Sequence, residues 1–258
     1  MGNNEVCRRV NIFCTFVLFC GGIALICGAF ATQNWFVAIP MRDPAFHDLQ
    51  GTPPTIPGER TIIHNGDAEQ NAHYLSSPDS GSRVQAGIFY GYRRLNYGLG
   101  VRHSLFSVYD EIGQGVSFMS LAIWLSIILT GILAVLWSVA GVIFSLINTV
   151  IKPSDTITGP LGLFVWSGAA FCFACISVMF FLIQYFTAMR QSVLLPTQER
   201  QGFTTEGRIQ LGYSFWLMVG ACIDYLLILF MLICASLDMK RRIAKSKAIP
   251  IDGAVLMY

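Results

Sequence analysis

The sequence predicts a membrane protein of the all-α class, in which a bundle of four membrane-spanning helices carries a small extracellular antiparallel β-sheet. Composition is the first reason: 12% of the 258 residues are charged and 54% are hydrophobic, whereas soluble domains carry about 25% charged residues. The second reason is a mean hydropathy of +0.57. The third is that the chain contains four apolar runs of at least about 20 residues, the length that crosses a hydrocarbon core of about 30 Å as a helix.

The four apolar runs divide the chain into spans and connections. We expect the spans at residues 11–31, 117–147, 161–188 and 211–237. The other segments are residues 1–10, 32–116, 148–160, 189–210 and 238–258. Because the second span is longer than the bilayer requires, it should tilt, bend or project beyond the membrane.

The first span has two interpretations. Arg8 and Arg9 precede an apolar stretch that ends in Ala29-Phe30-Ala31, and this small-x-small ending is typical of a signal-peptidase site. The apolar stretch is about 20 residues long, however, while the apolar part of a signal peptide has about 7–15. Its length favours an uncleaved helix, with cleavage as the alternative.

Basic residues in the short segments predict the orientation. Eight lie on one side of the membrane: Arg8, Arg9, Lys152, Lys240, Arg241, Arg242, Lys245 and Lys247. The short third connection, on the other side, carries three: Arg190, Arg200 and Arg208. Since the cytosolic side is enriched in lysine and arginine, both termini should be cytosolic, with residues 32–116 and 189–210 outside the cell.

The long connection at 32–116 should form the sheet. Residues 33–40 are aromatic and β-branched, which predicts a strand. Residues 41–82 are rich in proline, glycine and polar residues, which predicts turns and one short strand at Arg60–Ile63. Residues 83–110 contain many aromatic and aliphatic side chains between glycines, which predicts two or three further strands.

One carboxyl group lies near the middle of a span. Asp224 is in the fourth span, where a charged residue costs about 2.5–3.5 kcal/mol on insertion scales. Such a residue should face the other helices and be hydrogen-bonded. Thr130 of the second span and Ser177 of the third are expected at a similar depth in the membrane, so we expect them as structural partners of Asp224. A single acid favours a structural bond over a proton or ion relay.

The sequence lacks the patterns of an enzyme. His47, His64, His73 and His103 all lie in the long connection without the spacing of metal ligands. A nucleophile elbow, a phosphate loop and a dinucleotide fingerprint are also missing. We therefore expect a non-enzymatic protein without metal or cofactor. A formal net charge of +2 gives no indication of nucleic-acid binding.

Both ends carry candidate interaction features. The carboxy-terminal Leu256, Met257 and Tyr258 have the pattern of a ligand that adds as a strand to a PDZ domain. Cys7, beside a basic pair at the membrane face, is a candidate for palmitoylation, with an unmodified thiol as the alternative. Small residues four apart in the spans should allow close packing of the helices. Use of the same faces between chains, in a homo-oligomer, is the alternative.

The order of long and short connections resembles the claudin-type four-span superfamily, and four stretches resemble the clarins within it. They are Tyr97-Gly98-Leu99-Gly100-Val101-Arg102, Gly159-Pro160-Leu161-Gly162-Leu163, Tyr213-Ser214-Phe215-Trp216 and the Leu256-Met257-Tyr258 terminus. This sequence departs from the pattern in three ways: the long connection lacks cysteines, lacks an N-glycosylation acceptor and is lengthened by a proline-rich part. These departures fit a divergent or invertebrate member.

The resemblance implies a plasma-membrane protein of specialised sensory or epithelial cells, with a role in sensory perception such as hearing. It implies an adhesion-type organiser that recruits scaffold or cytoskeletal partners. Its partners would be the lipid bilayer, a PDZ scaffold and other membrane proteins, including a channel. The alternatives are an auxiliary subunit of an ion channel and a paracellular protein of cell junctions.

Overall fold

The computed structural model of the protein describes residues 3–42, 81–96, 101–113, 118–150 and 160–247. The helices are α1 (Asn3–Ala31), α2 (Val108–Gly113), α3 (Leu121–Val150), α4 (Pro160–Gln184), α5 (Pro196–Glu199) and α6 (Tyr213–Lys247). A π-helical turn at Tyr185–Met189 continues α4. The strands are β1 (Phe36–Ala38), β2 (Met41–Arg42), β3 (Arg83–Ala86), β4 (Tyr90–Asn96), β5 (Val101–Ser107), β6 (Phe203–Thr204) and β7 (Ile209–Leu211).

Four helices are long and apolar enough to cross a membrane. Their apolar stretches are Val10–Ala31 in α1, Leu121–Val150 in α3, Gly162–Met189 in α4 with its π-helical turn, and Tyr213–Leu237 in α6. Many large apolar side chains on these helices point away from the protein, as a surface in contact with lipid requires. The four-span fold class is confirmed, and the chain is a multi-pass membrane protein.

The predicted antiparallel sheet is also confirmed. Its five strands lie in the order β5-β4-β3-β1-β7. The long connection supplies four of them, and β7 comes from the segment that precedes α6. In the register of β1, Val37 lies opposite Gln85 of β3 and Gln210 of β7. Four features were not predicted: the strand β7, the small β2–β6 pair and the short helices α2 and α5.

Several predicted features lie outside the described residues. They are the short strand at Arg60–Ile63, the candidate PDZ ligand at Leu256, Met257 and Tyr258, and the motif residues Gly98, Gly100 and Gly159. Cys7 belongs to the backbone of α1, but its side chain is outside the described part.

The chain forms two compact units, and each contains a part of all four long helices. The first unit comprises Met1–Ala24, Ile132–Ala174 and Gly220–Tyr258. The second comprises Leu25–Gly131 and Cys175–Val219 and includes the whole sheet.

Small residues mark the helix contacts of the first unit. A Cβ atom built on Gly22 of α1 would lie 2.5 Å from Cε1 of Tyr225, so only glycine admits this ring. The Tyr225 hydroxyl accepts a hydrogen bond of 2.7 Å from Ser138 Oγ of α3. Ser145 Oγ donates to the carbonyl of Ile12 over 2.8 Å. Ser138 and Ser145 are thus small residues of α3 at contacts with other helices.

Tryptophan and tyrosine side chains tie the sheet to the helix ends within the second unit. The indole N–H of Trp35, just before β1, donates to the carbonyl of Ala29 in α1 over 2.6 Å. Trp124 of α3 donates in the same way to Ile88 of the β3–β4 turn over 2.8 Å. The Tyr185 hydroxyl donates to the carbonyl of Ile209 in β7 over 2.8 Å. Each bond satisfies a backbone carbonyl that lies outside the regular helix or strand ladders, so the sheet is held firmly at several points.

Candidate functional site: the exposed face and free edge of the sheet

The sheet has one buried face and one open face. Along β3 and β4, alternate side chains are buried, among them Val84, Ala86 and Leu95. On the other face, Arg83 and Arg94 are exposed, and Gln85 and Tyr92 are half-buried. Since successive side chains of a strand point to opposite faces, hydrophobic burial on one side leaves the other side free for contacts.

The strand β5 forms an edge of the sheet. In the described part of the chain it pairs only with β4, through seven consecutive residue pairs without a bulge. It contains no proline, and its side chains from Arg102 to Leu105 are exposed on both faces of the sheet. Leu105 is 76% exposed. An edge strand with these properties presents backbone N–H and C=O groups to any additional strand.

The strand register arranges the side chains of the open face in four rows, one of which joins Asn96 to Val101. Residues directly opposite each other in an antiparallel pair share a face. The first row joins Arg83, Arg94 and His103, and the second joins Gln85, Tyr92 and Leu105. The third joins Tyr90, which is 61% exposed, to Ser107. We call Arg83, Arg94, His103, Tyr90, Tyr92 and Leu105 the exposed sheet face.

The first row concentrates basic groups. Arg83 and Arg94 lie opposite each other in the register, an arrangement in which like charges destabilise a sheet. The ion pair found among the described residues is elsewhere, between Arg93 and Glu111. The arginines of the first row are therefore exposed positive charges without a carboxylate partner in the described part of the chain.

A buried ion pair supports this face from below. Arg93, 3% exposed, points to the buried side of β4. Its guanidinium donates to both carboxylate oxygens of Glu111 in α2, over 2.8 and 3.2 Å, and its Cζ lies 4.4 Å from the centre of the Phe106 ring. A bidentate pair of this kind fixes orientation strongly. It joins α2, β4 and β5 into one support.

Sequence reasoning missed this ion pair. A signal was present, because Arg93 stands between Gly91 and Leu95 in the alternation of β4 and so belongs to the buried face. A buried arginine requires a partner. The identity of that partner, Glu111, depends on the position of the unpredicted helix α2.

Of the three polar residues that were predicted to meet inside the membrane, Thr130 and Ser177 lie close to the same carbonyl group. Thr130 Oγ1 donates to the carbonyl of Ser126 over 2.7 Å. Ser177 Oγ donates over 3.1 Å to the carbonyl of Ile127, to which Thr130 Oγ1 also lies within 3.2 Å. Thr130 and Ser177 thus converge on Ile127 in the second unit. The predicted bond of either residue to Asp224 is not among the hydrogen bonds of the described residues.

Asp224 lies beside a glycine of α1 in the first unit. A Cβ atom at Gly21 would lie 3.8 Å from Asp224 Oδ2, so the glycine leaves room for the carboxyl group. This oxygen is buried and has no hydrogen-bond partner in the described part of the chain. The neighbouring Tyr225 accepts a hydrogen bond from Ser138 of α3.

The described family-motif residues have structural positions. Arg102 is an exposed residue of β5. Pro160 is the first residue of α4, where its missing N–H leaves no helical bond unmade, and Gly162 is buried in the same turn. Phe215 is buried at the start of α6, whereas Trp216 is 60% exposed. Among the described residues, no group of three or more histidine, cysteine or acidic side chains could hold a metal ion.

Comparison with known proteins places these features in a family. A family model described as Clarin-2-like matches residues 80–233, a region that includes β3, β4, β5 and three of the four spans. Clarin-1 of the mouse is 31% identical over 98 residues, which are 38% of this chain and 41% of the mouse protein. The match to this relative thus spans less than half of its length. Because the family model covers more than half of the chain, this four-span membrane protein belongs to the clarin family.

Proposed function

We propose that the chain is a non-enzymatic organiser of the plasma membrane of specialised sensory or epithelial cells, and that it recruits other proteins through the exposed sheet face and the β5 edge. One observation carries the proposal. The sheet is anchored to helix ends by Trp35, Trp124 and Tyr185, yet no other strand in the described part of the chain pairs with the outer edge of β5. A rigid platform with an open edge is suited to binding another protein.

The proposed orientation places this platform outside the cell, in reach of neighbouring membrane proteins, and both termini in the cytosol. The carboxy-terminal Leu256, Met257 and Tyr258 would then be available to a PDZ scaffold that links the protein to the cytoskeleton. The two contacts would connect an extracellular partner to a cytosolic one through a single membrane protein.

The test is affinity purification of the full chain from native membranes, followed by mass spectrometry. Leu105→Asp places a charge on the exposed sheet face at a position that is 76% exposed, so it should leave the fold intact. Gln201→Asp places the same charge at another exposed site and is the control. Certain membrane proteins should be lost from the Leu105→Asp sample and retained with Gln201→Asp. Identical partner sets for the wild type and Leu105→Asp would refute recruitment through the sheet.

The cytosolic part of the proposal is tested separately by deletion of residues 256–258. Loss of PDZ-containing proteins from the purified set is expected, and an unchanged set would remove this contact from the proposal.

A further inference from the structure

We propose that the β5 edge binds an extended acidic segment of a partner protein, which adds to the sheet as a further strand beside β5. This inference rests on the proposed recruitment function and specifies the chemistry of the partner. It is carried by two independent features of the same surface, the free backbone edge of β5 and the basic row that ends at this edge.

The backbone of β5 is suited to strand addition. It is a seven-residue strand with an unbroken register to β4. In an antiparallel pair, the N–H and C=O groups that do not face the neighbouring strand point to the other side, here away from the sheet. A partner segment of similar length can therefore form a ladder of main-chain hydrogen bonds, the contact that provides affinity in strand addition.

Charge determines which segment is favoured. Arg94 of β4 lies beside His103 in the row that reaches the edge, with Arg83 of β3 behind it. Strands in a sheet lie about 4.8 Å apart, so a strand added beside β5 would lie about 10 Å from β4, a distance that the long side chain of Arg94 and a glutamate side chain can span together. The charge of Arg93 is already compensated by Glu111 on the buried side. The open side therefore has a net positive character that complements acidic side chains.

The rows also predict the spacing in the partner sequence. His103 and Leu105 are two residues apart and lie on the open face, next to Arg94 and Tyr92 respectively. An added strand alternates in the same way, so the residue opposite His103 and the one opposite Leu105 are also two positions apart. The favoured partner segment has an acidic residue and an apolar residue separated by one position.

Two other occupants fit the surface less well. A sulfated glycan could bind the arginines but has no backbone N–H or C=O groups with which to continue the ladder. A second copy of this chain could form the ladder, but its own Arg94 would add positive charge to the same open face. Both become outcomes of the test.

The experiment measures peptide binding to the full chain in phosphatidylcholine nanodiscs by fluorescence anisotropy. The probe is a labelled, end-blocked octapeptide in which glutamate and valine take turns at every second position, with serine between them, so that both face the same side of the added strand. One comparison peptide has lysine in place of glutamate, and a second has N-methyl groups on alternate peptide bonds, which block the ladder but keep the charge. The glutamate–valine peptide should bind, and each comparison peptide should bind at least about tenfold more weakly, the effect of losing about one charge-assisted hydrogen bond.

Matched variants locate the site. Arg94→Glu reverses a charge of the basic row and should weaken binding of the acidic peptide by about tenfold or more. Arg200→Glu reverses an exposed charge next to α5 and should leave binding unchanged. The circular-dichroism spectra and gel-filtration profiles of both variants should match the wild type.

Three results would overturn the inference. The first is no binding of the acidic peptide, and the second is equal binding of the N-methylated peptide. The third is competition by heparin oligosaccharide when binding does not depend on main-chain hydrogen bonds to β5. A two-fold assembly of the chain through β5 that excludes the peptide would also overturn it. The recruitment function fails separately, if Leu105→Asp leaves the set of partners in native membranes unchanged. Loss of partners in that variant without peptide binding would retain recruitment and reject the acidic strand.

Discussion

The buried side chain of Arg93 positions elements that carry the exposed sheet face, although Arg93 itself points to the other face of β4. Its side chain and that of Glu111 are only 4% and 6% exposed, and the pair connects β4 to α2. Removing two charges from water costs several kcal/mol per ion, and the paired geometry offsets that cost only while both partners are present. The pair therefore matters less for net stability than for the position of α2 and β5 relative to β4.

At the scale of single residues we predict the effect of removing one of the two charges. Glu111→Gln leaves the Arg93 guanidinium buried without a counter-charge and should lower the free energy of unfolding by about 3–5 kcal/mol. The combined change Arg93→Met and Glu111→Leu removes both charges and should recover most of this loss. Chemical unfolding in detergent micelles, followed by tryptophan fluorescence, measures both effects.

The exposed neighbour Asp110 provides the control. Asp110→Asn changes the same kind of group one position away, in the same helix, and should alter the free energy of unfolding by less than about 0.5 kcal/mol. A loss in Glu111→Gln no larger than in this control would contradict the assigned role of the pair.

The helices of the first unit pack closely at glycine residues, which have no side chain. Gly22 lies under the ring of Tyr225, and Gly141 lies under the ring of Phe19. Helices in a membrane gain little from the hydrophobic effect on association, so they associate by close packing and hydrogen bonds. The glycines provide the close approach, and the bond from Ser138 to Tyr225 provides the polar contact.

Two glycine-to-alanine changes separate packing from helix propensity. Each raises the intrinsic stability of its helix, by up to about 1 kcal/mol. In Gly22→Ala the new methyl group collides with the Tyr225 ring, and a net destabilisation of about 1–3 kcal/mol is expected from overpacking. In Gly168→Ala the methyl group meets no atom within 4 Å, so stability should be unchanged or higher. Thermal unfolding in nanodiscs measures the difference, and equal melting temperatures would contradict the packing assignment.

The elements that the sequence predicts well are those determined by local composition. An apolar run of sufficient length is a helix in a membrane whatever surrounds it, because its backbone must be hydrogen-bonded internally. The strand β7 is different: Ile209–Leu211 is only three residues long, and it becomes a strand by pairing with β1. That pairing joins segments that are far apart in the sequence, which local patterns do not reveal.

The candidate site was predictable to a similar extent. The aromatic and aliphatic character of residues 83–110 indicated the strands, and their alternation assigns Arg94 and Arg93 to opposite faces. The register that places Arg83, Arg94 and His103 in one row needs the lengths of the turns between the strands. For Asp224, counting along a helix gives depth in the membrane but not the partner across a helix contact, and Thr130 and Ser177 were nominated on depth alone.

At the scale of the whole molecule, a clarin with four spans has both termini on the same side of the membrane. The distribution of basic residues predicts that this side is the cytosol. The same orientation requires the first span to remain uncleaved. Recruitment from outside the cell by the sheet depends on this orientation.

Epitope tags test the orientation directly. Tags at the amino and carboxy termini should bind antibody only after the cells are permeabilised, because both ends are predicted to be cytosolic. A tag inserted between residues 42 and 83 should bind antibody on intact cells. The amino-terminal tag should remain on the full-length protein of 28.5 kDa in a denaturing gel. Loss of that tag from the mature protein would instead establish cleavage after the first apolar segment.

The central position of β1 in the sheet has a mechanical consequence. β1 follows α1 after a few residues, and its neighbour β7 is separated from α6 by Gly212 alone. A tensile load applied to β5 would pass through β4 and β3 to β1, and from there to two membrane anchors in parallel. Because β1 bonds to strands on both sides, the load would be shared between two helices and no single connection would bear all of it. This arrangement resists extraction of the sheet when a load is applied to its edge.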